Sequence, residues 1–240
     1  MTETMTSTTT PATRQASRST YLDVRGLRYH VRHWGREDAP KLFLVHGWLD
    51  NSATFQFFVD ALQGDWHCIA PDWRGFGLTQ RTTSDCYWFA DYLGDLDAVL
   101  DHYAPHESVY LLGHSMGGNV ASLYAGVRPS KIARLINLEG FGMPRTRPSM
   151  APQRYRQWLD QLLAMDAGEL QFKPYASLDA VAQRLQKTNP RLRLDHAQFL
   201  ASHWAQPTQR ESMLGMEAPE SGALTIATRS RRRHPRWCQG

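Results

Sequence analysis

Residues 108–129 read SVYLLGHSMGGNVASLYAGVRP, and the fold is decided there. An apolar run, VYLLG, enters the turn Gly113-His114-Ser115-Met116-Gly117, and a helical pattern begins at once and closes before Pro129. So sharp a passage from strand to helix forces its central residue into a strained backbone conformation. Gly113 and Gly117 are needed because a side chain at either would collide with neighbouring backbone. Ser115 Oγ is then presented at the carboxyl edge of a sheet. The helix that follows points its N-terminal amides at the same place, where the amide of Met116 can donate to a developing oxyanion.

Upstream, KLFLVHG (41–47) is a short apolar run ending in glycine, as a strand buried on both faces should be. Between it and the serine turn, NSATFQFFVDAL (51–62) reads as a helix, WHCIAPD (66–72) as a strand and DYLGDLDAVLDHYA (91–104) as a helix; ARLINLEGF (133–141) is the next strand. This alternation predicts an α/β fold: a mostly parallel sheet with helices on both faces, whose ligands gather at the carboxyl ends of the strands. His46-Gly47-Trp48 opens the loop after the first of these strands, so the Trp48 amide is the candidate for a second oxyanion donor. Ahead of it, YLDVRGLRYHVRHWG (21–35) alternates around a glycine and predicts an antiparallel hairpin.

Four segments follow from this reading. Residues 1–19, rich in Ser and Thr, are expected to be a disordered leader, and residues 20–142 the α/β core. Residues 143–206 carry three helical patterns, 153–165, 177–185 and 193–205, and are expected to form a helical lid. In the second pattern Leu178, Val181 and Leu185 share a face, and in the third Leu194, Ala197, Ala201 and Trp204 do. Residues 207–240 form an atypical Arg-rich tail.

Charge narrows the possible functions. Five arginines (Arg229, Arg231, Arg232, Arg233 and Arg236) account for the formal charge of +4; without them Lys and Arg are one fewer than the 23 Asp and Glu. The body is therefore near neutral, and a basic nucleic-acid-binding face is not expected. Three cysteines, Cys68, Cys86 and Cys238, lack the spacing of a disulfide framework or thiolate metal site. No apolar run is long enough to span a membrane, and no secretory signal is legible, so a cytoplasmic protein is expected. Neither a metal-ligand spacing nor a dinucleotide fingerprint is present, and no cofactor is expected.

LVHGWLDN (44–51), APDWRGFGLT (70–79), LLGHSMGGNVASLYA (111–125) and LINLEGFG (135–142) together resemble the α/β-hydrolase superfamily, over roughly residues 21 to 205. HGWLDN with GHSMGG is especially similar to serine-hydrolase-like members near the epoxide hydrolase and haloperoxidase branch. Where epoxide hydrolases of that branch use Asp, this chain has Ser115. The resemblance therefore implies a lid-bearing esterase that hydrolyses small carboxylic esters, with a small-molecule ester as its only expected partner and no nucleic acid or membrane. Carbon–carbon bond hydrolysis or perhydrolysis would use the same residues. It further implies that Asp72 and Arg74 tie their loop to the site wall, that His46 sets its loop, and that His114 points away from Ser115 to pack. The oligomeric state stays open.

A serine nucleophile needs a histidine base oriented by a carboxylate, in the chain order serine, acid, histidine. After Asp195 the only carboxylates are Glu211, Glu217 and Glu220, and residues 223–228, ALTIAT, offer one short strand. Histidines after Ser115 are His196 and His203, both on a lid helix, and His234 in the tail. Glu139, closing the strand after Ser115, is the candidate acid, with a hydrogen-bonding role at the lid entrance as the alternative. The change of text after about Arg210 suggests a shifted reading frame. On that expectation the chain is a C-terminally truncated hydrolase lacking the last strands of the sheet, and a catalytically incomplete protein is the alternative function.

Overall fold

The computed structural model describes residues 14–82, 87–142, 145, 147–167, 175–207 and 224–226. Strands β1 (Ser17–Val24) and β2 (Leu27–Trp34) pair antiparallel, from Ser17 opposite Trp34 to Val24 opposite Leu27. Arg25 and Gly26 between them have φ of 48° and 81°. Positive φ at both turn residues lets a two-residue hairpin follow the twist of its strands. The hairpin is the expected one, but β1 starts at Ser17, inside the span expected to be a disordered leader. Most of its side chains face solvent, so no apolar alternation marks it. Residues 1–13 lie outside the described residues.

β3 (Lys41–Val45), β4 (His67–Pro71), β5 (Val109–His114) and β6 (Ile132–Leu138) complete a six-stranded mixed sheet in the order β1-β2-β4-β3-β5-β6. β2 runs antiparallel to β4, and β4, β3, β5 and β6 are mutually parallel. The apolar text of β3 has a direct cause, because both its faces are covered. Leu42 and Leu44 join Trp34, Phe55, Val59 and Cys68 on one side, under a 3-10 turn (Ser52–Phe55) and α1 (Gln56–Ala61). Phe43 and Val45 join Leu96, Val99 and Val120 on the other, under α2 (Phe89–Tyr103) and α3 (Met116–Val127). Each such aliphatic side chain contributes about 2 kcal/mol by leaving water. β6 differs: Leu135, Ile136 and Leu138 are each more than a third exposed, and among the described residues no strand pairs with its outer edge.

Beyond β6 come α4 (Ala151–Asp166), α5 (Leu178–Thr188) and α6 (Leu194–Trp204). α5 and α6 enclose a small core of Val181, Ala182, Ala197 and Ala201. Leu178 and Leu194, expected on the same apolar faces, are instead exposed, because each opens its helix, where the chain has not yet turned into the shared core. α4 leaves Tyr155, Leu159 and Leu163 in solvent along one stripe. α6 lies on the 3-10 turn: Asn51 Nδ2 donates to the His203 carbonyl at 3.2 Å, Trp204 Nε1 to Thr54 Oγ1 at 3.3 Å, and the His196 ring stacks on Phe57 at 3.8 Å.

The N-terminal approach to β1 is tied to the same region. Arg14 sits over the Phe199 ring at 4.5 Å and donates to the Asp195 carbonyl, while the Gln15 amide donates to Asp60 of α1 at 2.8 Å. A short ribbon of β7 (Ala205–Pro207) and β8 (Leu224–Ile226) follows α6. The short strand expected at 223–228 thus forms, but with β7 as its partner and not within the main sheet. Glu211, Glu217, Glu220, His234, the arginine cluster and the expected change of reading frame lie outside the described residues.

Candidate active site

Ser115 stands between β5 and α3 with φ 52° and ψ −115°, a backbone conformation that costs a non-glycine residue about 1–3 kcal/mol and persists only where its surroundings impose it. Those surroundings are visible. The Ser115 amide donates to the Leu138 carbonyl of β6 at 2.7 Å, and its carbonyl accepts from the Asn119 amide at 3.1 Å. A Cβ on Gly113 would be driven into the Gly117 carbonyl, and one on Gly117 into the carbonyl oxygens of Val45 and His46. Both glycines of the motif therefore lie where backbone meets backbone.

The loop after β3 closes on the same point. A Cβ on Gly47 would lie 3.1 Å from Ser115 Cβ, so the Gly47-Trp48 backbone runs beside the serine. His46 fixes that loop: its Nε2 accepts from the Trp73 amide at 3.0 Å and its Nδ1 then donates to the Gly47 carbonyl at 2.8 Å. With both nitrogens occupied and the side chain fully buried, His46 sets the loop, as its sequence position implies. The Trp48 ring stands edge-on to Phe76 at 5.2 Å. Met116 is the first residue of α3, where a helix has amides without intrahelical acceptors.

Asp72 is wholly buried and accepts from the Ser52 amide at 2.6 Å, from His30 Nδ1 at 2.8 Å and from the Leu78 amide at 2.8 Å. Burial alone would raise its pKa; the His30 hydrogen bond and charge, with His46 and the Leu78 amide, outweigh this and hold it at about 2. It thus joins two loops and β2. Arg74 is anchored elsewhere, on Asp95 of α2, at 2.5 Å from Nε and 2.6 Å from Nη2. Asp95 also accepts from the Tyr29 hydroxyl and Arg25. This buried network has no motif in the sequence, because Asp95 reads as one more acid on a helix face.

Among the described residues no side chain hydrogen-bonds Ser115 Oγ. His114, expected to pack away from the serine, is half-exposed, with Nε2 3.9 Å from Glu139 Oε2. Its other nitrogen faces the loop after β3, where a Cβ on Gly47 would lie 3.2 Å from His114 Nδ1. Glu139, at φ 61°, is largely exposed and turned toward that imidazole. His196 is stacked on Phe57 of α1, and His203 Nδ1 meets the Phe199 carbonyl one turn back in α6 at 2.9 Å. Asp50, on the loop after Trp48, was not singled out by the sequence. Burial raises its pKa, partly offset by His46 and by hydrogen bonds from Thr54 and the Asn51 amide.

The sequence profile of the alpha/beta hydrolase fold matches residues 40–233, past the point where the text changes. A serine hydrolase-like protein of Danio rerio is 28% identical over 195 residues, which is 80% of this chain and 59% of that protein. A cis-3-alkyl-4-alkyloxetan-2-one decarboxylase of Shewanella oneidensis is 30% identical over 132 residues, covering 53% of this chain and 41% of the enzyme. The chain thus spans less than two thirds of the length of these relatives. In three dimensions the thioesterase domain from the curacin biosynthetic pathway superposes on 91% of this chain and 72% of its own, with a TM-score of 0.75 at 24% identity. The profile match covers the strained serine and every parallel strand of the sheet: the chain belongs to the α/β-hydrolase fold family.

Proposed function

We propose that the protein is a serine-dependent hydrolase of small carboxylic esters that works through an acyl-enzyme on Ser115. The observation supporting this most directly is the conformation of Ser115, held at φ 52° between two glycines with the Gly47-Trp48 backbone alongside. In this reading Ser115 Oγ adds to the ester carbonyl carbon and gives its proton to a histidine base. The carbonyl electron pair moves onto oxygen, where the Trp48 and Met116 amides donate. Collapse expels the alcohol, which takes the proton. Water then repeats the cycle on the acyl group, releasing the carboxylic acid and free Ser115.

Residues 143–206, with α4, α5 and α6, serve as the lid over a core of residues 20–142. Glu139 remains the candidate acid, with His114 beside it. One observation favours a second reading, a catalytically incomplete hydrolase fold: no described imidazole reaches Ser115 Oγ. Labelling with a fluorophosphonate probe decides between them. Rapid labelling of the folded chain, lost in Ser115→Ala and on denaturation, is expected for the esterase; His114→Asn and His234→Asn then identify the base. A folded chain that stays unlabelled would establish the incomplete protein.

A further inference from the structure

α4 carries an apolar stripe that stands in water. Tyr155, Leu159 and Leu163 recur every fourth residue, so they lie nearly above one another on one side of the helix, and they are 63%, 53% and 69% exposed. Trp158 and Leu162 beside them are half-buried, so the apolar arc is wider than the part of it that the protein covers. Met150, just ahead of the helix, is exposed as well. Single exposed apolar side chains are ordinary, but a contiguous row of them marks a contact surface.

Charge specifies what that surface meets. From Arg145 to Leu163 the sequence holds four arginines and one acid, Asp160, a formal charge of +3 (four minus one). Arg145, Arg147 and Arg156 are exposed, and no carboxylate among the described residues pairs with them. At about 100° of helix rotation per residue, Arg156 projects about 20° beyond Leu163. It therefore stands at the rim of the stripe, from where a long side chain can hold its charge above an apolar layer. A second copy of the chain would bring like charge against like, which disfavours a self-paired helix. A bilayer containing anionic lipid has negative charge over an apolar interior and so matches both the stripe and its rim. Among the described residues no helix is long and apolar enough to cross a membrane, and a helix lying flat in the headgroup boundary does not need to be.

We infer that α4 docks the protein on the surface of anionic membranes. Tyr155, Leu159 and Leu163 enter the boundary between headgroups and acyl chains, and Arg145, Arg147 and Arg156 meet the lipid phosphates.

The test is flotation of the 240-residue chain with vesicles of phosphatidylcholine alone and of phosphatidylcholine mixed with phosphatidylglycerol. Binding to the mixed vesicles, weakened by added salt, is expected, with little binding to phosphatidylcholine alone. An arginine near an anionic surface strengthens binding about fivefold, and Arg156→Gln should lose about that factor. The double variant Leu159→Gln with Leu163→Gln removes most of the stripe and should bind about a hundredfold more weakly. Both leucines are exposed, so the melting temperature should not move; if the double variant fails to fold, Arg156→Gln decides. The tail arginines would attract the same vesicles but are untouched in the leucine variant, so unchanged binding by that variant would overturn the proposal. Equal binding to phosphatidylcholine alone, or none to either vesicle, would do the same. A dimer in sedimentation velocity that dissociates in the leucine variant, with the vesicles left unbound, would mean that a second copy covers the stripe instead. Each readout is binding or assembly and should be the same in Ser115→Ala, so the outcome does not depend on the esterase reading.

Discussion

Gly117 illustrates how little freedom the residues around Ser115 have. A methyl group there must displace the carbonyls of Val45 and His46, so Gly117→Ala is expected to cost about 3 kcal/mol in urea unfolding, the upper range for overpacking, and to abolish probe labelling of Ser115. Asp72 gives a second prediction, with a pH signature. Its folded pKa of about 2 lies below the ordinary 3.8, so the stability it contributes is complete above about pH 4 and is lost as pH falls toward 2; the integrated amount is about 2 kcal/mol. Asp72→Asn should lower stability at neutral pH by about 3 kcal/mol and flatten the decline between pH 4 and 2 in urea titrations. A variant curve parallel to that of the wild type would refute this. The two glycines and the serine were legible because backbone collision is a property of the motif itself. Asp95 was not, because what makes it matter, the convergence of Tyr29, Arg25 and Arg74 from distant parts of the chain, exists only after folding.

The elements repay the same comparison. Strands with two covered faces, β3 above all, announce themselves as apolar runs, and the hairpin announces itself through Gly26. β1 does not, since an edge strand with most of its side chains in water carries no apolar period. Nor could text alone pair β8 with β7, because three residues fix no partner. Two glycines at the element scale should respond with opposite signs. Gly26, at φ 81°, should lose about 1 kcal/mol on substitution by alanine because an L side chain resists that conformation. Gly126, inside α3 with nothing within 4 Å of an added Cβ, should gain about 0.5–1 kcal/mol as alanine, through helix propensity and a less flexible unfolded chain. Chemical denaturation of the two variants measures both.

Across the whole molecule, buried imidazoles set the response to acid. His33 and His67 stack between β2 and β4, with His33 Nδ1 3.1 Å from His67 Nε2. Burial, with the neighbouring His67 and Arg18 charges, lowers the pKa of His33 to about 3, and burial also lowers that of His67. His33 stays neutral in the folded chain down to about pH 3 while the unfolded chain takes up a proton near pH 6.5, and the shift of His67 acts in the same direction. The contribution of His33 is therefore present above about pH 6.5 and declines toward pH 3. Stability measured from pH 8 to pH 4 should fall in the wild type and fall less steeply in His33→Phe; identical slopes would exclude the imidazole as the cause.

Arg14 and Gln15 have a consequence for the order of folding. Arg14 meets Asp195 across a separation of 181 residues, and contacts that close so long a loop form only after much of the entropy of the chain has been spent. The seam between the N-terminal segment, α1 and α6 is therefore a late event, absent from the rate-limiting barrier. Arg14→Ala should leave the refolding rate unchanged in stopped-flow experiments and accelerate unfolding. The first described residues of the chain thus act as a latch on a nearly finished molecule, and govern how long it stays folded more than how fast it folds.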